Sequence, residues 1–195
     1  MIIFTEQEMI EKLSFTLKPS RFKHSLGVRD TAVLLAKHYG ADCEKARLAG
    51  LLHDCAKNMA FEDSIKYCRE NHYRLKEVCF FEPTLIHAPL GSLMAQREYG
   101  VTDPEVLDAI YYHTTGHENM PLLTKIIYLA DTIEPNRTQA GVEQLRVTAF
   151  ESLDEALIRA IDATVRHIIN KGGILDTDTV AARNYLITER KNVEK

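Results

Sequence analysis

Five places in this 195-residue chain put potential ligands where helical spacing expects the core or a helix end: His24, the pair His53-Asp54, His87, His113 and Asp131. Imidazoles and carboxylates form a nitrogen and oxygen donor set suited to Fe, Mn, Co, Ni or Zn. No thiolate joins the pattern, which favours an open catalytic site over a closed structural zinc site. Asp131 makes the strongest demand. It follows Ile126-Ile127-Tyr128-Leu129-Ala130 on the most apolar segment of the chain, where an unpaired carboxylate costs several kcal/mol and needs a cation or several donors. The His53-Asp54 pair sets a second condition. Neighbouring helical residues project about 100° apart, so both reach one centre only beyond a helix end, and Lys57-Asn58 mark such an end.

The periodicity that must carry these residues is helical nearly everywhere. Thr5 and Glu8 form a capping-box pattern ahead of Met9, Ile10, Leu13 and Leu17. Pro19 opens a longer helix with His24, Val28, Thr31, Leu35 and His38 on one stripe, and Gly40 stops it. Asp42 caps the next, whose Ala46, Ala49 and Gly50 let a neighbouring helix pack close before the run LLHDCAK. Further helices are predicted over Phe61–Asn71, over Ile86–Tyr99, and from Asp103-Pro104-Glu105 to about Thr114, where Gly116 ends the last of them. The stretch from Tyr73 to Thr84 reads as short helix or loop. Leu122–Ile133 is apolar on most sides, the pattern of a central buried helix. Ser152 and Glu155 form a second capping-box pattern for a helix ending at Lys171-Gly172-Gly173, and a final helix covers about Thr179–Arg190. Strand alternation and hairpin turns are almost absent. The expectation is one all-α domain over 1–195, with a metal core at about 20–137 and C-terminal helices at about 142–191 packed on it.

Composition narrows the partners. Hydrophobic residues make up 45% and charged residues 27% of the chain, a globular rather than a disordered balance. A net charge of −4 provides no global basic field, which argues against nucleic acid or an anionic membrane as the main partner. No apolar run approaches the ~20 residues of a membrane span, and MIIFTEQEMIEKL lacks the regions of a signal peptide. Cys43, Cys55, Cys68 and Cys79 form no C-x-x-C pair, so a reduced, cytoplasmic protein is expected, with Cys55 a buried packing residue. His38, His72, His117 and His167 fall outside the ordered series and receive no role.

That series, with its local contexts, resembles the HD-domain metal-dependent phosphohydrolases, and among them the YqeK-type symmetrical bis(5'-nucleosyl)-tetraphosphatases. The residues that carry the resemblance are Arg21-x-x-His24-Ser25-x-x-Val28, His53-Asp54-x-Ala56-Lys57, His87 with Gly91, and His113-Thr114-Thr115-Gly116. Ala130-Asp131-x-Ile133-Glu134-Pro135-x-Arg137 and Ala182-Arg183-Asn184-Tyr185 complete it, so it spans about 20–186. The resemblance implies a helical HD bundle and a first metal held by His24, His53, Asp54 and Asp131. Iron is the foremost ion, with manganese or cobalt as alternatives. Two roles stay open for His87 and His113: ligands of a second metal with Asp54 bridging, or contacts to the phosphates.

Phosphoanhydride hydrolysis needs a nucleophile near neutral pH, neutralised phosphoryl charge and in-line geometry. Metal coordination lowers the pKa of bound water from ~15.7 towards ~7 and so supplies hydroxide. Asp54 is expected to orient that water. Asp54, Lys57, His87 and His113 are then the catalytic candidates. Arg21, Lys57 and Arg137 lie within a turn or two of ligands and suit phosphate oxygens, and Thr114 adds a donor. The loop from Lys171 to Asp176 reads by itself as a helix stop, while the resemblance brings its Ile174 and Leu175 towards a nucleoside. Arg183 and Asn184 read as a brace for the last helix. The expected reaction cleaves diadenosine tetraphosphate into two ADP, so the expected partner is a dinucleoside polyphosphate or an ADP- or GDP-like nucleotide. The alternatives are another HD nucleotide phosphohydrolase, such as a 5'-nucleotidase or a nucleoside triphosphate hydrolase, and a non-catalytic nucleotide-binding regulator. Monomer and homodimer both stay open.

Overall fold

Capping chemistry sets the helix limits. The Thr5–Glu8 box closes on both sides, with Glu8 N–H donating to Thr5 Oγ1 at 3.3 Å and Thr5 N–H donating to Glu8 Oε2 at 2.7 Å. Asp42 accepts from the amides of Glu44 and Lys45, and Asp103 from those of Glu105 and Val106, each satisfying two otherwise orphaned donors. Gly40, at φ +71°, ends the long second helix in the left-handed conformation that glycine tolerates. In the computed structural model, which describes residues 4–193, these signals delimit α1 (Glu6–Thr16), α2 (Pro19–Tyr39), α3 (Cys43–Leu52), α4 (Phe61–Glu70) and α5 (Val78–Phe81). There follow α6 (His87–Glu98), α7 (Pro104–Tyr112), α8 (Leu122–Ile133), α9 (Val142–Glu151), α10 (Leu153–Asn170) and α11 (Thr177–Val193). No strand occurs among the described residues. The outer limits of the predicted 1–195 unit, residues 1–3 and 194–195, lie outside them.

One local expectation is met and three shift. The stretch Tyr73–Thr84 contains the single-turn helix α5, joined to α6 by a 3₁₀ turn at Pro83–Leu85. α7 is regular only to Tyr112, two residues before Thr114, and residues 113–115 form a closing turn in which Gly116, at φ +65°, donates its N–H to the Tyr112 carbonyl at 2.8 Å. Only half of the second capping box forms. Ser152 accepts from the Glu155 amide, but the Glu155 carboxylate is drawn off by Arg159 and Arg190, both at 2.9 Å. α11 begins at Thr177 rather than Thr179, since Asp176 accepts the Asp178 N–H at 2.7 Å and caps it.

α8 is the axis of the bundle and packs against α2, α3, α7, α9 and α10. Its Ile126, Ile127, Leu129 and Ala130 are fully buried, and burying each large aliphatic side chain contributes roughly 1.5–3 kcal/mol. The same apolar cluster runs from Met9 and Leu13 of α1 to Ala182 and Leu186 of α11. Arg183 of α11 pairs with Asp162 of α10, the brace expected of it. No helix among the described residues is long and apolar enough to cross a membrane.

Small residues let α2 and α3 approach closely. A Cβ on Gly50 of α3 would sit 2.9 Å from the Arg29 Cα and 3.2 Å from the Val28 carbonyl oxygen of α2. Both are backbone atoms, so the helices would have to separate. Gly50→Ala is therefore expected to destabilise the chain by about 1–3 kcal/mol, the usual cost of overpacking, despite its better helix propensity. A urea transition with an unchanged midpoint would show that α2 and α3 can part freely.

Candidate metal centre

Five helices deliver the ligand candidates to one buried point. His24 comes from the second turn of α2 and Asp131 from the last turn of α8, while His53 and His113 directly follow α3 and α7, and His87 opens α6. All four imidazoles and Asp54 are buried, and the Asp131 side chain is 20% exposed. The chain turns sharply just after Leu52, which lets the consecutive His53 and Asp54 face the same point, as the sequence required.

Each imidazole is locked by its Nδ1. His53 Nδ1–H donates to the Gly50 carbonyl at 2.8 Å, His87 Nδ1–H to Thr84 at 2.5 Å, and His113 Nδ1–H to Ile110 at 2.7 Å. In each case the acceptor lies three residues upstream. His24 differs: its Nδ1–H donates to the Glu134 carboxylate at 3.0 Å. A carbonyl or carboxylate oxygen only accepts, so Nδ1 carries the proton in all four rings and Nε2 presents a lone pair.

Those lone pairs converge. His24 Nε2 and His53 Nε2 are 3.3 Å apart, and His87 Nε2 and His113 Nε2 are 3.1 Å apart. Asp54 stands between the two pairs. Its Oδ2 lies 3.4 Å from His53 Nε2 and 3.6 Å from His24 Nε2, while its Oδ1 lies 3.3 Å from His87 Nε2 and 3.7 Å from His113 Nε2. Asp131 Oδ1 completes the first side, 2.9 Å from His24 Nε2 and 3.8 Å from His53 Nε2. Two trios, His24–His53–Asp131 and His53–Asp54–His113, each have ligand atoms within 4.8 Å of one another. Paired lone pairs at such distances repel unless a cation lies between them, so the donor set fits a divalent transition metal.

The electrostatics agree. Burial pushes the Asp54 carboxyl up, but the imidazoles of His53 and His113 outweigh it and hold the group well below the ordinary carboxylate range. Burial acts on Asp131 in the same sense, and His24, His53 and Arg137 overcome it. His87 is driven down to about 3 by burial, then by its neighbours His113 and Lys57, and is a neutral imidazole at physiological pH.

Three cations ring the centre. Lys57 Nζ lies 3.0 Å from His87 Nε2, and burial lowers its pKa against the pull of Asp54. Arg21 donates to Asp54 at 2.7 Å, and Arg137 to Asp131 at 2.5 Å. The two arginines thus contact the ligand carboxylates directly. Thr114 follows His113 into the wall of a cavity of about 450 Å³, which also includes Thr84, Thr115, Lys171 and Ile174. Ile174 is tied there by its N–H, which donates to Glu82 at 3.1 Å. Leu175 is half-buried and is not among the lining side chains.

Sequence reasoning missed several residues of this region. Glu134 is 1% exposed and supports His24; it stands in the motif after Asp131, but nothing in the chain gives it that role. Arg146 of α9 donates to the carbonyls of Ile133, Glu134 and Arg137 at 2.8–2.9 Å and so holds the turn after Asp131. His167, given no role from its spacing, lies in the cavity wall. Cys55 is the packing residue expected: its Sγ donates to the Gly91 carbonyl at 3.4 Å, and burial raises its pKa to about 12.

Residues 21–136 match the HD domain family. A symmetrical bis(5'-nucleosyl)-tetraphosphatase of Halalkalibacterium halodurans is 42% identical over 90% of this chain and 93% of its own. Its namesake from Bacillus subtilis is 38% identical over 93% and 97%. A crystal structure of a predicted HD superfamily hydrolase involved in NAD metabolism, from Clostridium acetobutylicum, superposes with a TM-score of 0.93 at 45% identity, covering 96% of this chain and all of that one. The spacing of the ligand series, its convergence on one buried point and these likenesses agree: the chain belongs to the HD-domain family, in the group that holds the symmetrical bis(5'-nucleosyl)-tetraphosphatases.

Proposed function

We infer that the chain hydrolyses diadenosine tetraphosphate, or a close dinucleoside polyphosphate, symmetrically. Water adds to one of the two inner phosphorus atoms, the anhydride between the inner phosphates breaks, and two ADP leave. The observation that carries this reading is the pair of imidazole couples facing each other across Asp54, beside a cavity of about 450 Å³. Relatives matched over nearly their whole length bear the name of this activity.

His24, His53, Asp54 and Asp131 hold the first metal in this reading, and His87, His113 and Asp54 a second position that takes either another ion or the phosphates. Iron is the ion inferred, with manganese or cobalt able to serve the same nitrogen and oxygen donors. A bound ion supplies a positive charge for the phosphoryl oxygens and lowers the pKa of a coordinated water towards 7. The chain's own residues do the rest. Asp54 orients the attacking water. Lys57 lies over the His87 side of the centre and neutralises charge that builds on the phosphoryl oxygens. Arg21 and Arg137 align the two carboxylates and offer their remaining donors to the phosphate chain. Thr114 and the loop bearing Ile174 receive one nucleoside. The four cysteines are free, which suits a reducing cytoplasm.

The test is a product analysis. Purified protein loaded with iron, manganese or cobalt is expected to convert diadenosine tetraphosphate to ADP alone. AMP with ATP would mean asymmetric cleavage, and phosphate release from AMP or ATP would point to one of the other HD activities. Tight nucleotide binding with no turnover would make the chain a regulator.

A further inference from the structure

His24 is the only one of the four clustered histidines whose Nδ1–H meets a charged acceptor; the others use backbone carbonyls. That acceptor, Glu134, is fixed at its other oxygen as well. Its Oε2 accepts the Asn136 backbone N–H at 2.7 Å and the Asn136 side-chain amide at 2.8 Å. The turn that carries it is clamped by Arg146 through the carbonyls of Ile133, Glu134 and Arg137.

The carboxylate also has a seat made for it on the opposite helix. Gly27 lies one turn beyond His24 on α2, and a Cβ there would come within 2.5 Å of Glu134 Oε2 and 3.3 Å of Asn136 Nδ2. A glycine inside a helix sacrifices stability relative to alanine. At this position the missing side chain is the space the carboxylate occupies.

We propose that Glu134, seated in the notch left by Gly27, is the positioning residue of the first metal site. It holds His24 in the Nδ1–H tautomer, aims the Nε2 lone pair at Asp131 and His53, and makes that nitrogen a stronger donor. A hydrogen-bonded carboxylate behind a ligand imidazole has this effect in general, and losing such a partner typically weakens metal affinity 10–100-fold. The proposal rests on the reading that His24 holds a metal.

Glu134→Gln and Gly27→Ala are measured beside the parent for cobalt(II) affinity by chelator competition, for the visible spectrum of the bound cobalt, and for the Tm of the chelator-treated protein. Glu134→Gln keeps the shape and loses the charge, and is expected to bind cobalt about 10–100-fold more weakly with a shifted spectrum. Gly27→Ala displaces the fixed carboxylate, a packing cost that its better helix propensity only partly offsets, so its affinity is expected to fall and its spectrum to shift along with a modest drop in metal-free Tm. A merely structural Glu134 would move the Tm and leave spectrum and affinity alone. If Glu134→Gln fails to fold, Gly27→Ala decides. Variants that bind cobalt like the parent overturn the role of Glu134 and leave the proposed activity standing. A parent that binds no metal overturns both.

Discussion

Asp54→Ala is expected to abolish metal binding and to lower hydrolysis of diadenosine tetraphosphate on the order of 10³-fold or more, which is about 4 kcal/mol of transition-state stabilisation. The size of the effect follows from position. Asp54 is the one carboxylate with an oxygen towards each imidazole pair, so its loss leaves four lone pairs converging with only Asp131 to balance a cation. It also strips Arg21 of its partner. Asp54→Asn separates charge from shape, since the amide fills the same space but carries no charge to share with a metal. It is expected to fold with a Tm near that of metal-free parent and to remain as inactive as the alanine variant. Metal content by mass spectrometry and ADP formation by chromatography check both. An Asp54→Asn protein with full metal and near-parental turnover would remove Asp54 from the centre of the mechanism.

Lys57→Met is expected to produce the opposite pattern, with metal retained and kcat/KM reduced about 10²–10³-fold, the usual cost of removing one preorganised donor from a developing oxyanion. Methionine keeps the long apolar stem and loses the ammonium. The Lys57 charge is held where desolvation disfavours it, an expense that makes sense where a negative phosphate chain arrives. Arg21 and Arg137 are partly neutralised by the carboxylates they contact, so their remaining donors replace it only in part. Unchanged kinetics with polyphosphate substrate would return Lys57 to the role of a packing partner for His87.

The ligand series was legible in the sequence because its members are costly where they stand. Imidazoles and carboxylates on apolar helical stripes demand partners, and Asp131 behind five apolar residues is the clearest instance. The helix limits were legible through local chemistry, as at Thr5, Asp42, Asp103 and Gly40, where side chain and backbone lie within a few residues of each other. Even here competition altered one outcome: Glu155 could complete a capping box in isolation, but α11 brings Arg190 within reach of it.

The sequence by itself therefore determined the element type, most helix ends, and which residues are candidates for the chemistry. Tertiary structure alone decided how they are aimed. His24 and Glu134 are 110 residues apart in the chain, and no local periodicity links a mid-helix imidazole to an acid beside a proline. The pairing of Arg21 with Asp54, the grip of Arg146 on the turn after Asp131, and the arrival of His167 in the cavity wall that Thr114 also lines likewise depend on how α2, α3, α8, α9 and α10 pack. Short-range capping is encoded in neighbouring residues, whereas the orientation of a buried donor is set by whatever the packed helices place behind it.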